Sequence, residues 1–181
     1  DGFISTFTIS ADGATITEIA TLEHDTNNSK DNSLVQVDSD TYALAYAGEN
    51  DDGFISTFTI SSSGAITAVR TQSLANNLEH DTLDGTYNSL VQVDSDTFAL
   101  AYAANSGFIS TFTISSDGAT ITEIATLEHD ASDGWEHSLV QVDSDTYALA
   151  YAGNGMDGFI STFTISSDGA TITEIATLEH D

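Results

Sequence analysis

Histidine flanked by two carboxylates is the pattern in this sequence that most readily suggests chemistry. The tripeptide Glu-His-Asp occurs four times, beginning at Glu23, Glu79, Glu128 and Glu179. Imidazole beside carboxylates suits metal ligation or acid–base catalysis. In a regular strand, however, the Glu and the Asp would share one face and the His would take the other. Four equal copies would also imply four equal sites, so we expect these tripeptides to be structural, with His or Asp bonding backbone where repeats join.

Two acidic patterns suggest calcium. Asp38 and Asp40 lie two residues apart in a repeated turn sequence, but no complete calcium loop surrounds them, and the turn-forming tendency of Asp and Ser explains their presence. The segment Glu49-Asn50-Asp51-Asp52 places three carboxylates within four residues. Calcium held by Glu49, Asp51 and Asp52 is therefore the cofactor hypothesis, and a solvated acidic loop is its alternative.

Comparison of the repeats with one another locates the variable positions. They fall in two connections, which span residues 26–31, 82–87 and 131–136 in one case and 48–52, 104–106 and 153–157 in the other. Because antiparallel strands alternate in direction, both connections emerge at the same end of a four-stranded unit. Loops on a rigid scaffold commonly carry binding. One rim is therefore the predicted recognition surface.

Aromatic and acidic side chains gather in the first of these variable connections. The candidate ligand-binding residues are Asp84, Tyr87, Asp133, Trp135, Glu136 and His137. Aromatic rings beside carboxylates suit a sugar or a peptide. Sequence drift in unconstrained loops, with the aromatic rings packing locally, is the alternative.

The net charge limits the classes of partner. The chain has 29 acidic and two basic residues, which give a formal net charge of −27. Such a charge repels nucleic acid and anionic membrane surfaces and favours cations or basic partners. Apolar residues occur in short alternating runs, so we expect no membrane insertion. The acidity and the repetition together predict an extracellular or cell-surface location.

Two long motifs recur and define the architecture. GFISTFTIS begins at residues 2, 53, 107 and 158, and SLVQVDSDT begins at residues 33, 89 and 138, with spacings of 49 to 56 residues. Repeats of this length are typical of propeller blades or stacked arrays, in which each unit buries its apolar face against a neighbour.

Each complete repeat contains four strand patterns. In the first complete copy three strands are predicted at 33–37, 42–47 and 54–60, and the fourth pattern is clearest at 15–24 in the partial copy. The second strand alternates large residues with alanines, so rings of one blade should cover alanines of the next. Asp-Gly and Ser-Gly pairs predict a hairpin before the fourth strand. The second copy has an insertion at 70–77, which predicts a larger bulge or loop, and the whole chain should contain 14 strands.

The sequence HSLVQV at 137–142, followed by TYALAYAG at 146–153, resembles the first two strands of kelch-type propeller blades. The repetition is also similar in style to secreted bacterial proteins with near-identical blades. These resemblances imply an all-β chain that forms about three and a half four-stranded antiparallel blades of a β-propeller. The half blade would span 1–25, and complete blades would span 26–81, 82–130 and 131–181.

No nucleophile elbow, phosphate loop or dinucleotide fingerprint is present, so the sequence predicts no enzymatic activity. The leading functional hypothesis is a secreted or surface-displayed scaffold or adhesion module that binds a glycan, a protein or its own copies through the variable rim. A subunit of an extracellular filament is one alternative. A fragment of a polysaccharide-active propeller enzyme, with its site at the propeller axis, is another. The half blade at residues 1–25 suggests part of a longer chain or a homo-oligomer.

Overall fold

Alternation of aromatic and β-branched residues with Ser and Thr favours the pleated backbone along the whole chain. The computed structural model describes residues 1–71, 74, 76–132 and 134–180. Fifteen strands lie in this part of the chain: β1 (Gly2–Ile9), β2 (Ile16–Asp25), β3 (Lys30–Gln36), β4 (Thr41–Ala47), β5 (Gly53–Ile60), β6 (Ile66–Arg70), β7 (Leu78–Asp81), β8 (Thr86–Gln92), β9 (Thr97–Ala103), β10 (Gly107–Ile114), β11 (Ile121–Asp130), β12 (Trp135–Gln141), β13 (Thr146–Ala152), β14 (Gly158–Ile165) and β15 (Ile172–His180).

The strands form four antiparallel sheets in chain order. β1 and β2 make a half blade, whereas β3–β7, β8–β11 and β12–β15 make complete blades, here called the first, second and third blades. Among the first strands of the complete blades, β8 contacts both β3 and β12, which places these strands innermost. The chain therefore forms about three and a half blades of a β-propeller, as predicted. In the described part of the chain, no helix is long and apolar enough to span a membrane.

The fourth strand of the first blade is divided in two. β6 ends at Arg70 and β7 begins at Leu78, and both pair with β5. A larger bulge or loop was predicted at 70–77; residues 72, 73 and 75 of that segment lie outside the described residues, and the described strands on either side are separated there. Division of this strand explains why the described residues contain one strand more than the predicted 14.

Tight turns form where the sequence predicted them. The hairpin glycines Gly13, Gly64, Gly118 and Gly169 have φ between 70° and 85°, which a residue without a Cβ adopts at little cost. The Asp38 carboxylate accepts the Ser39 amide at 2.7 Å, which confirms the turn-forming role of these repeated aspartates.

Neighbouring blades pack aromatic faces onto alanine faces. Ala43 and Ala45 of β4 are fully buried in one cluster with Phe98 and Tyr102 of β9. The same arrangement recurs between the second and third blades. The predicted stacking of rings over alanines is confirmed, and it lets each blade supply part of the core of the next.

Candidate binding pocket on one rim

The strand ends that bear the variable connections meet at one rim of the propeller. Thr86 at the start of β8 pairs with Ala103 at the end of β9. Gly107 at the start of β10 pairs both with Ala103 and with Asp130 at the end of β11. The two variable connections therefore emerge together, as the alternation of strand directions predicted.

A bulge occurs near the start of each innermost strand. Asp31, Tyr87 and Glu136 have φ of 52°, 54° and 55°, a left-handed conformation that is uncommon for residues other than glycine. In the second blade the register shifts between Thr86 and Ser89, so two residues of β8 lie opposite one residue of β9. Sequence alternation alone gave no sign of this bulge.

A cavity of about 350 Å³ opens on the rim between the second and third blades. Its lining consists of Asp84, Thr86, Ala103, Asn105 and Trp135. Asp84 and Trp135 were predicted from the sequence. The other three were missed because their types are common in loops, and only the fold brings them together.

The chemical character of this pocket is polar with one aromatic wall. Trp135 is 36% exposed, so part of its indole is accessible. Asp84 contributes a carboxylate, and the Asn105 amide and Thr86 hydroxyl can each donate or accept hydrogen bonds. The lining contains no basic side chain. Such a combination suits an uncharged ligand with many hydroxyl groups.

Four of the six predicted ligand residues are not found in the pocket lining. Tyr87 and Glu136 occupy the left-handed bulge positions and are exposed. His137 is only 8% exposed and packs between the blades. Asp133 lies outside the described residues. Their roles as ligand-binding residues stay predictions.

His137 forms a buried pair with His129. Their Nε2 atoms lie 3.2 Å apart and their rings are nearly perpendicular, at 86°. Burial, together with the neighbouring His129, lowers the pKa of His137 to about 3. Burial lowers the pKa of His129 to about 4. Both rings are therefore neutral at pH 7, and one Nε2–H donates to the other Nε2.

The Glu-His-Asp tripeptides have the structural role that was predicted. The Asp25 carboxylate accepts the amides of Asn27 and Asn28, at 2.8 and 3.3 Å, and so shapes the loop between blades. The predicted facing of the side chains is wrong, because His24 and Asp25 are both buried while Glu23 is exposed.

His24 and Asp25 are both buried because β2 has a bulge near its C-terminal end. The register shifts between Gly2 and Phe3, so strict alternation fails at the tripeptide. The fourth tripeptide ends at Asp181, which lies outside the described residues.

The acidic segment proposed for calcium is engaged by protein groups. Glu49–Asp51 forms a short 3-10 turn. Lys30 Nζ donates to the Asp51 carboxylate at 2.6 Å, and Asn27 donates to Glu49 at 3.2 Å. Among the described residues, no group of three or more His, Asp or Glu side chains is placed to hold a metal ion. The calcium hypothesis for Glu49, Asp51 and Asp52 therefore gains no geometric support and stays a prediction.

Two solved structures share this architecture. A protein from Lactobacillus plantarum, determined in a structural genomics project, has a TM-score of 0.70 and 16% identity over 96% of this chain and 50% of its own. A protein from Bacteroides fragilis NCTC 9343, provisionally assigned as a 6-phosphogluconolactonase, has a TM-score of 0.65 and 13% identity over 99% of this chain and 49% of its own.

At these identities the likeness establishes the β-propeller fold alone, and this chain spans about half the length of either structure. No protein-family model and no curated protein matches the chain.

The comparison corrects the leading functional hypothesis. A non-catalytic, secreted adhesion scaffold was expected, but the similar structure from Bacteroides fragilis is provisionally assigned as an enzyme. The alternative of a propeller enzyme fragment is therefore better supported than the scaffold.

Proposed function

We propose that this chain is part of a propeller enzyme that hydrolyses a neutral sugar lactone, and that the pocket beside Trp135 holds the substrate. The pocket is the observation that carries the proposal: it combines one aromatic wall, one carboxylate and two neutral hydrogen-bonding side chains. The assignment of the Bacteroides fragilis protein to a lactonase activity supports the same reaction class.

The pocket has the size and lining for a single sugar unit. Its volume of about 350 Å³ lies at the lower end of the range for small-molecule sites. The apolar face of a sugar ring can pack on the Trp135 indole, and the ring hydroxyls can bond Thr86 and Asn105. These contacts favour a monosaccharide-sized ligand over a long polysaccharide.

The charge of the chain favours a neutral substrate over a phosphorylated one. Phosphate is usually held by Arg, Lys or backbone amides at a helix N-terminus. Lys30 is paired with Asp51, and the Arg70 guanidinium donates to the Ala119 carbonyl at 3.0 Å, so neither lines the pocket. A net charge of −27 would also repel a phosphate.

Asp84 is the group in this pocket that can activate water. As general base it would take a proton from water while the water oxygen bonds to the lactone carbonyl carbon. The ring C–O bond then breaks, and the proton passes to the leaving oxygen, which gives a hydroxy acid. Thr86 or Asn105 can donate a hydrogen bond to the oxyanion. Lactone cleavage fits better than glycoside cleavage, which needs two carboxylates, because the lining contains one.

Location and blade type belong to the same proposal. The acidic composition supports a secreted or surface-attached enzyme, since abundant salt outside a cell screens self-repulsion. The kelch-like sequence of the inner two strands supports a kelch-type blade.

The competing hypothesis is the sequence-based expectation that the chain has no enzymatic activity. The following experiment decides between the two.

Initial rates of gluconolactone hydrolysis above the buffer rate test the proposal. We expect Asp84→Asn to lower kcat at least about 100-fold with KM little changed. We expect Trp135→Ala to raise KM about 10-fold, since it removes the stacking wall. Asp157→Asn, an exposed aspartate on the same rim outside the pocket lining, is the matched control and should leave both constants unchanged.

Hydrolysis no faster than in buffer, or turnover unaffected by Asp84→Asn, would overturn the catalytic assignment. Binding of the lactone without turnover, measured by calorimetry, would instead support a non-enzymatic sugar-binding role.

A further inference from the structure

The two junctions between complete blades differ in the connection that joins the second and third strands of the preceding blade. This connection has five residues in the first blade, 48–52, and three in the second blade, 104–106. In the first blade it forms a short 3-10 turn, and the Asp51 carbonyl accepts the amide of Gly85 in the second blade at 2.7 Å. Both junctions have a complete blade on each side, so the difference between them is internal to the stack.

Gly134 of the third blade is the counterpart of Gly85. Both glycines are buried, and each precedes the first residue of an inner strand. A Cβ built on Gly85 would collide with Gly53, which begins β5. One built on Gly134 would lie 2.5 Å from the Cα of Gly107, which begins β10. The two glycine amides therefore hold equivalent places at the two junctions.

The Gly134 amide lacks the partner that the Gly85 amide has. Among the described residues, no protein atom accepts a hydrogen bond from it. The connection at 104–106 is two residues shorter and closes on itself, because the Ala104 amide donates to the Ser106 carbonyl at 2.9 Å. A buried N–H without an acceptor is costly, so this donor is available to water or to a ligand.

The place of the missing carbonyl adjoins the pocket on the rim. At the first junction that carbonyl belongs to the connection at 48–52, and the corresponding connection of the second blade contributes Asn105 to the pocket lining. Trp135, the aromatic wall of the pocket, directly follows Gly134 in the sequence. An acceptor oxygen of a ligand in the pocket can therefore take the place that the Asp51 carbonyl has at the first junction.

We propose that the Gly134 amide holds the carbonyl oxygen of the ligand in this pocket, and that the ligand class is therefore a cyclic ester or amide of a neutral sugar. This inference rests on the lactone-hydrolysing function proposed for the pocket. A sugar with ring hydroxyls alone could pack on Trp135 without a carbonyl to accept the Gly134 amide. The carbonyl is thus the group that the short connection allows the site to recognise.

The same bond would stabilise the transition state of hydrolysis. When the water oxygen bonds to the lactone carbonyl carbon, the π electrons of the C=O bond move to the carbonyl oxygen, which becomes an anion. Hydrogen bonds to an anion are stronger than those to a neutral oxygen. The Gly134 N–H, held in place by the backbone, would act with Thr86 or Asn105 as an oxyanion hole. The C=O bond then forms again while the ring C–O bond breaks, and Asp84 returns the proton to the leaving oxygen.

Hydrogen exchange of the two glycine amides, measured by NMR, tests the proposal with two probes. Gluconolactam keeps the sugar ring and the carbonyl but resists hydrolysis, and anhydroglucitol is the same ring without the carbonyl. An aspartate precedes both glycines, so their intrinsic exchange rates are nearly equal.

We expect the Gly134 amide of the free protein to exchange at least about 10-fold faster than that of Gly85, and saturating gluconolactam to slow it at least about 10-fold. The Gly85 amide is the internal control and should be unchanged. Anhydroglucitol should bind at least about 5-fold more weakly than gluconolactam and leave Gly134 unprotected.

A longer connection in the second blade gives a second test, since any substitution of Gly134 would introduce a colliding Cβ. Replacement of residues 104–106 by the five residues of 48–52 should bring a carbonyl to the Gly134 amide. We expect that amide then to exchange as slowly as that of Gly85 without ligand, and the affinity for gluconolactam to fall at least about 10-fold. Replacement by residues 153–157, which form a similar turn with one acidic residue instead of three, is the matched control for charge and should act alike. Circular dichroism checks that both variants fold.

The outcomes separate this inference from the function on which it rests. A Gly134 amide as protected as that of Gly85 in the free protein would overturn the inference. Gluconolactam that binds in calorimetry but leaves Gly134 unprotected, or equal affinities for the two probes, would also overturn it, and the pocket would remain a sugar site. Absence of any gluconolactam binding would overturn the proposed function and, with it, this inference.

Discussion

The second and third blades have nearly the same sequence in different surroundings. β10 and β14 are identical over eight residues, and β9 and β13 differ at one position. Yet Ile109 is fully buried whereas Ile160 is 43% exposed, and Ala101 is fully buried whereas Ala150 is exposed. The second blade has a neighbour on each side and the third has one. Burial in this fold is thus a property of position in the stack.

This difference has an energetic meaning. In repeat proteins the stability of a unit is approximately its own folding free energy plus the free energies of the interfaces with its neighbours. The second and third blades have nearly the same sequence, so their own folding free energies should be nearly equal. A difference between the effects of matched substitutions in the two blades therefore measures the contribution of the interface between blades. The following predictions use such matched pairs.

Truncation of the matched isoleucines should have the largest effect. Ile109→Ala leaves a cavity between blades and should lower the free energy of unfolding by about 2–5 kcal/mol. Ile160→Ala removes a partly solvated side chain and should cost less than about 1 kcal/mol. Urea unfolding of each variant and of the wild type measures both losses. Equal losses at the two positions would contradict the stacking account.

The histidine pair should make stability depend on pH. His137 is held neutral with its pKa lowered to about 3, whereas an unfolded histidine has a pKa near 6.5. The unfolded state therefore binds more protons below pH 6.5, so the stability present at pH 7 is lost as the pH falls. This one group should account for about 2 kcal/mol between pH 7 and pH 5.

The other two blades supply the matched variant for this pH dependence. Asn32 and Asn88 occupy the position of His137 in the first and second blades. We expect His137→Asn to lose less stability than the wild type between pH 7 and pH 5, as measured by urea unfolding at each pH. Parallel pH profiles for the two proteins would show that His137 is not the titrating group.

Removal of the hydroxyl that joins the blades should have the smallest effect. Thr111→Val deletes the bond to the Gly169 carbonyl and should cost about 0.5–1.5 kcal/mol. Thr162→Val, at the same position of the third blade, should change stability by less than about 0.5 kcal/mol. A loss at Thr162 as large as that at Thr111 would mean that the hydroxyl acts within its own blade.

The sequence predicted the regular parts of this fold. Strand patterns, glycine turns and the meeting of the two variable connections all follow from local rules of alternation and turn chemistry. They were found as predicted because the repeats combine the same signals in each copy.

The irregular parts could not be predicted in this way. A bulge near Asp25 turns two adjacent side chains inward, and another at Tyr87 moves that ring away from the pocket lining. Both break the alternation that assigns side chains to faces. Thr86 and Asn105 come together with Trp135 only because blades stack, and no short sequence pattern signals that contact.

The central claim is that the neighbours of a blade determine how well it is buried and protected. Amide hydrogen exchange of the repeated octapeptide GFISTFTI tests this claim most directly. From Ile4 and Ile109 onward its copies in β1 and β10 have the same local sequence and so nearly the same intrinsic exchange rates, but β10 lies between two paired strands and two blades, whereas β1 pairs with one strand and packs on one blade. We predict that amides of β10 exchange at least about 100-fold more slowly than those of β1. Equal exchange rates in the two copies would contradict the claim.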